Sequence, residues 1–287
     1  FVYLGKSLPN YGLAAIELAS RYSGLDVRLI GNASMARNLK NSPVRFTAVE
    51  DFYDDKEFVG ASKRMISQHS FRQGFWLKTL ERFFVLSQYM AKENLDSIVH
   101  AELDQLLFRV DLLLSKLDEE KQLGLFLPFH NSDKAVASLL YCNSQEALRS
   151  LLDFSSKAET FPNEMILIAN WAKENPEQVF SLPTMASIVN LSPSFPNPAL
   201  ALNSNQIGGV VDAAQLGQWV AGIDPRNVPA GELPMTKFAD EPNESMLTRN
   251  QLAELKFYFN AQDGVLNIEY GKEIYTRLFN LHIHSKI

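Results

Sequence analysis

Cysteine is almost absent. Cys142 is the only one in 287 residues, so no disulfide can close within the chain and no thiolate cage for zinc can be built. It sits in an apolar stretch, 137–142, and reads as a small buried hydrophobe. A reducing, cytoplasmic compartment is the expectation. No apolar run approaches the roughly 20 residues that cross a bilayer, and no signal peptide is read. The chain opens on Phe1 rather than Met, and 1–4 is already strand-like. We therefore expect a module of a larger protein, working in the cytoplasm or at the inner face of the membrane. An excess of basic charge is missing too. Lys and Arg number 27 against 33 Asp and Glu, a net charge of −6, which argues against a dedicated nucleic-acid binder. The G-x-G-x-x-G dinucleotide fingerprint, internal repeats and low-complexity tracts are absent as well.

What remains is an ordinary globular composition, 46% hydrophobic and 21% charged. A chain of this length buries a core without staples. Strands are predicted at 1–4, 26–30 and 45–49, with a helix over 13–20. That order predicts an α/β fold with a mixed, mostly parallel sheet flanked by helices. A helix is predicted over 76–92, where Leu77, Leu80, Phe84 and Met90 lie near one face. Further strands are predicted at 97–100, 124–128, 135–142 and 208–211, and helices at 106–119, 145–154 and 213–221. Stretches 183–198 and 223–244 read as loops. The last part is β-rich: Asp263-Gly264 marks a hairpin between 255–260 and 265–270, and 278–283 is a final strand.

The most informative segment is 96–108, in which an apolar strand runs into Glu102-Leu103-Asp104. In extended backbone, residues two apart point the same way. Two carboxylates would then share one side at the carboxyl end of a strand, where open α/β sheets bind ligands. Such a pair repels itself unless a cation sits between, which points to a divalent metal. The second signal is 279–287, where His282, His284 and Lys286 fall on one face of a strand. Imidazole is a common metal ligand when neutral, and lysine suits phosphate. Alternation does not separate His282 from His284.

The stretch VHAELDQLLF resembles the metal-binding D-x-D element of GT-A-fold glycosyltransferases, in an E-x-D form, and LHIHSK is similar in kind to their late histidine. The resemblance implies a single GT-A-like domain over 1–287. Residues 1–110 would be its nucleotide-binding half, and 111–287 its acceptor half with the closing metal-site strand. It implies a divalent cation, Mn²⁺ or Mg²⁺, bound by Asp104 with His284 as the favoured further ligand and His282 second. Glu102 would touch metal-bound water or the ribose. It also implies a nucleotide-sugar donor, UDP-linked by preference, and a glycan or other hydroxyl acceptor. A bacterial polysaccharide-type enzyme is the contextual expectation. The first loop, with Gly5, Lys6 and Tyr11, would wrap the nucleotide, and Lys286 would reach its phosphates.

Arg72, Lys78 and Arg82 would balance a diphosphate; Lys78 and Arg82 are four apart on one helix face. Asp212 precedes a helix and reads as its N-cap, or as the general base for the acceptor hydroxyl. Asp224, in the turn GIDPRN, is a second candidate base. Other readings are a sugar-phosphate nucleotidyltransferase, a metallohydrolase using His282, His284 and Asp104, and a non-catalytic carbohydrate- or protein-binding domain on a transferase scaffold.

Overall fold

A computed structural model of the chain describes residues 1–39, 42, 44–66, 74–190, 201–222 and 246–283. It begins with β1 (Val2–Tyr3) and α1 (Asn10–Tyr22). Gly12, Ala15, Ile16 and Ala19 are buried along α1, the spacing of one helix face. β2 (Arg28–Gly31) and β3 (Arg45–Ala48) complete a parallel sheet in the order β1-β2-β3. Two helices follow, α2 (Lys56–Ser62) and α3 (Phe75–Glu93). α3 ends where Asn94 turns left-handed at φ 51°.

β4 (Ile98–Ala101) leads through a tight turn into β5 (Gln105–Leu107), and α4 spans Val110–Glu119. The helix expected over 106–119 is therefore shorter at its start. Arg109 adopts a left-handed φ of 46°, and β5 is claimed by a strand far along the chain. β6 (Leu125–Leu127), β7 (Phe129–Asn131), β8 (Lys134–Ala135) and β9 (Leu139–Cys142) follow, so the strand expected at 135–142 is two pieces. α5 (Gln145–Lys157) is capped by Ser144 and α6 (Glu164–Glu174) by Asn163, each side chain accepting a backbone N–H. β10 (Val179–Ser181) joins a second sheet, ordered β10-β6-β9-β4. There β10 runs parallel to β6, while β9 runs antiparallel to β6 and β4. Neither α6 nor β10 is foreseen by the sequence reading.

Short helices α7 (Met185–Val189), α8 (Ser204–Ile207), α9 (Gln215–Ala221) and α10 (Arg249–Ala253) precede the β-rich end. The first of these falls inside the expected 183–198 loop. The strand expected at 208–211 reduces to a bridge between Val210 and Leu278. β11 (Leu255–Asn260), β12 (Val265–Tyr270) and β13 (Ile274–Leu278) form an antiparallel meander. β14 (Asn280–His282) leaves it and pairs antiparallel with β5. The fold is thus mixed α/β, with a parallel sheet, flanking helices and added β-structure near the end.

The main core lies between α3, α5, α6 and the second sheet, and includes Phe83, Phe84, Leu127, Leu148 and Trp171. Cys142 is fully buried, and burial pushes its thiol up to about 11, so it is inert at neutral pH. Among the described residues no helix is long and apolar enough to cross a membrane.

Candidate metal centre

The acidic pair does not lie in extended strand, as alternation suggested. β4 stops at Ala101, and Glu102 to Gln105 form a turn closed by Gln105 N–H donating to the Glu102 carbonyl at 3.0 Å. Between the two acids, Leu103 is 6% exposed and packs in a cluster with Ile16 and Leu29. Burial of a leucine stabilises by roughly 2 kcal/mol, so Leu103 anchors the turn with an acid on either side. Gly12 of α1 permits this approach, because a Cβ there would meet Leu103 Cδ1 at 2.9 Å.

His282 arrives through β14, whose register places it opposite Gln105, beside Asp104. Ile283 N–H donates to the Asp104 carbonyl at 2.8 Å. Behind the strand is a buried polar latch. Asn280 donates to Gln105 Oε1 at 2.7 Å and to the Asp212 carbonyl at 3.1 Å, and accepts from Asp212 N–H at 2.9 Å. The Asp212 carboxylate accepts three backbone N–H groups, from Leu216 at 2.9 Å, Gly217 at 2.8 Å and His282 at 2.9 Å. Helix α9 starts two residues later than a simple N-cap at Asp212 requires, with Ala214 as its flanking residue, yet Asp212 still supplies the capping oxygens. Burial pushes its carboxyl up, and these N–H groups partly offset the rise.

The imidazole Nε2 of His282 lies 3.3 Å from Asp104 Oδ1 and 3.5 Å from Glu102 Oε2. One ligand atom from each residue falls within 4.8 Å of the others. The side chains of Asp104 and His282 are 10% and 6% exposed and that of Glu102 23%. Burial alone would lower the His282 pKa, but the charges of Asp104, Glu102 and Asp212 outweigh it and the net direction is up. Two carboxylates and an imidazole are a donor set that could hold a divalent metal ion. A cation there would relieve the repulsion between the two carboxylates.

Glu102 and Asp104 border a cleft of roughly 280 Å³, whose other walls include Tyr3, Gly5 and Tyr11 from the N-terminal region and Lys78 and Arg82 from α3. Asn32 and Ser34 hold the first loop by donating to the carbonyls of Gly5 and Lys6 at 2.7 and 3.1 Å. Lys6 is exposed and lies outside the lining of this cleft. Lys78 pairs with Glu81 at 2.6 Å but keeps 57% of its side chain exposed. Arg82 is buried and bonds Glu102 through Nη1.

Five of the expected residues thus meet Asp104 around one opening: Gly5, Tyr11, Lys78, Arg82 and Glu102. His282 reaches Asp104 and Glu102 from behind. Arg72, Asp224, His284 and Lys286 lie outside the described residues. Sequence reasoning missed Asn280, Gln105 and Glu164. For Glu164 a signal was present: Asn163-Glu164 ahead of the apolar run MILIA is a helix start.

No family model matches the chain, and no curated protein matches it. Among solved structures it is similar to the apo form of mouse xyloside xylosyltransferase 1, at 12% identity, over 63% of this chain and 85% of that one, with a TM-score of 0.38. That score is too low to assign fold or function.

Proposed function

We propose that this chain is a metal-dependent glycosyltransferase, moving a sugar from a nucleoside-diphosphate sugar to a hydroxyl acceptor. The observation that carries this reading is the meeting of Glu102, Asp104 and His282, from two distant stretches of sequence, at the edge of a cleft walled by the first loop and α3. The E-x-D resemblance supplies the reaction class; the geometry supports it by joining that pair to a late histidine.

In this reading Asp104, Glu102 and His282 hold a divalent cation, Mn²⁺ or Mg²⁺. When bound, the cation neutralises charge developing on a leaving diphosphate. Tyr3 and Tyr11 offer aromatic walls for a nucleotide base or ribose. The exposed ammonium of Lys78 adds positive charge at the cleft, suited to phosphate oxygens. Arg82 faces Glu102 and positions that carboxylate. We assign Asp212 to positioning too, because its oxygens accept the N–H groups that fix α9 and β14.

Thermal-shift measurement with UDP and UDP-sugars, with and without Mn²⁺, tests the reading. Ligands that bind the native state raise the apparent melting temperature by mass action. A nucleotide shift that requires Mn²⁺, with Mn²⁺-dependent release of UDP from a UDP-sugar, is expected. Metal binding with no nucleotide response would favour a metallohydrolase and sink the transferase.

A further inference from the structure

We propose that Glu164 sets the cation affinity of the Glu102–Asp104–His282 site by competing with Glu102 for the charge of Arg82. The inference rests on the metal-site reading above and adds a residue from α6, outside the cleft lining.

Arg82 stands between two carboxylates. Its Nη1 bonds Glu102, and its Nη2 lies 3.6 Å from Glu164 Oε1. The Arg82 and Glu164 side chains are 6% and 5% exposed, so water screens little of this contact. His100 adds no charge here. It is fully buried, and burial together with the Arg82 charge lowers its pKa well below 6.5. One cation therefore faces two anions, and the negative charge of Glu164 offsets part of the positive field that Arg82 casts on Glu102 and the site beside it.

The arrangement is poorly optimised as a structural ion pair. Arg82 Nε, Glu164 Oε2 and both His100 nitrogens have no hydrogen-bond partner among the described residues. Buried charges in this condition add little to stability and are often replaceable by apolar groups. Departures of this kind concentrate at functional sites. The function available here is electrostatic. With Glu164 ionised, Arg82 is shared and Glu102 keeps more of its negative charge for a cation. With a neutral side chain at 164 that offset is lost, and the Arg82 charge opposes an incoming cation more strongly. Groups behind metal ligands change metal affinity about 10–100-fold when replaced.

Calorimetric titration of Mn²⁺ into metal-free protein at pH 8 tests this, using wild type, Glu164→Gln, Arg82→Gln and the double variant. Circular dichroism confirms the fold of each. Glu164→Gln should weaken binding by about tenfold, and by less than about twofold when Arg82 is already Gln, as expected for coupled neighbours. Should Arg82→Gln not fold, Arg82→Met provides the neutral background. Equal affinity of Glu164→Gln and wild type overturns the proposal, as does an equal loss in both backgrounds. Failure of the metal reading looks different: wild type would show no Mn²⁺ binding that Asp104→Ala removes, and the proposal would fall with it.

Discussion

The main-chain N–H of His282 donates to Asp212 Oδ2 at 2.9 Å, across 70 positions of sequence. The same carboxylate accepts from Leu216 and Gly217 at the start of α9. One buried side chain thereby fixes the helix start and the strand that delivers the imidazole. Replacing Asp212 separates its two candidate roles. Asp212→Asn keeps the shape but leaves at least one buried N–H facing an amide nitrogen, a loss of about 1–3 kcal/mol. As a positioning residue it should lose Mn²⁺ affinity along with stability, read by denaturant unfolding and calorimetry. Unchanged metal binding with reduced turnover alone would restore it as a base.

Gly217 has no room for a side chain, because a Cβ there would run into the backbone of His282. Gly217→Ala should destabilise by about 1–3 kcal/mol and weaken Mn²⁺ binding. Gly60, in α2, has nothing within 4 Å of a would-be Cβ. Gly60→Ala should stabilise by about 0.5–1 kcal/mol and leave the metal site alone. Paired urea curves check both, and equal effects would remove the close α9–β14 contact from the account.

Asp104→Ala should abolish Mn²⁺ binding, since it takes away one of two carboxylates and leaves His282 beside Glu102 alone. The backbone carbonyl of Asp104, which holds Ile283, is retained, so β14 should stay docked in the variant. Retained Mn²⁺ affinity, measured by calorimetry, would place the ion elsewhere.

Glu164 predicts a pH dependence. Burial raises its carboxyl from 4.5 to about 7. Between these values the folded chain keeps a proton that the unfolded chain has released. Stability contributed by this group therefore falls as pH rises from 4.5 to 7, by at most about 3 kcal/mol, and levels off above. Glu164→Gln does not titrate. Its stability relative to wild type, without metal, should improve across that window. Urea midpoints at pH 5 and pH 8 decide it, and a constant difference between the proteins would contradict the shift.

How far the sequence could be read depended on whether the signal was local. Helix α3 carries its own periodicity, and the Asp263-Gly264 turn carries its own hairpin. The Glu102-Leu103-Asp104 triplet also stood out locally, although its backbone proved to be a turn. β5 misled because Gln105–Leu107 become a strand only by pairing with Asn280–His282. Periodicity around 106–119 could not report a partner some 175 positions away. Alternation left His282 and His284 equivalent, and the register with Gln105 is what brings His282 to the acids. The latch of Asn280, Asp212 and Gln105 was invisible for the same reason, since each is unremarkable without the others.

Because β14 supplies the imidazole and its register, the proposed ion site is complete only once β14 has docked on β5. A nascent chain that already contains the first loop, α3 and both acids still lacks the third ligand. On the proposed reading, cation capture would therefore report that β14 has docked beside the two acids.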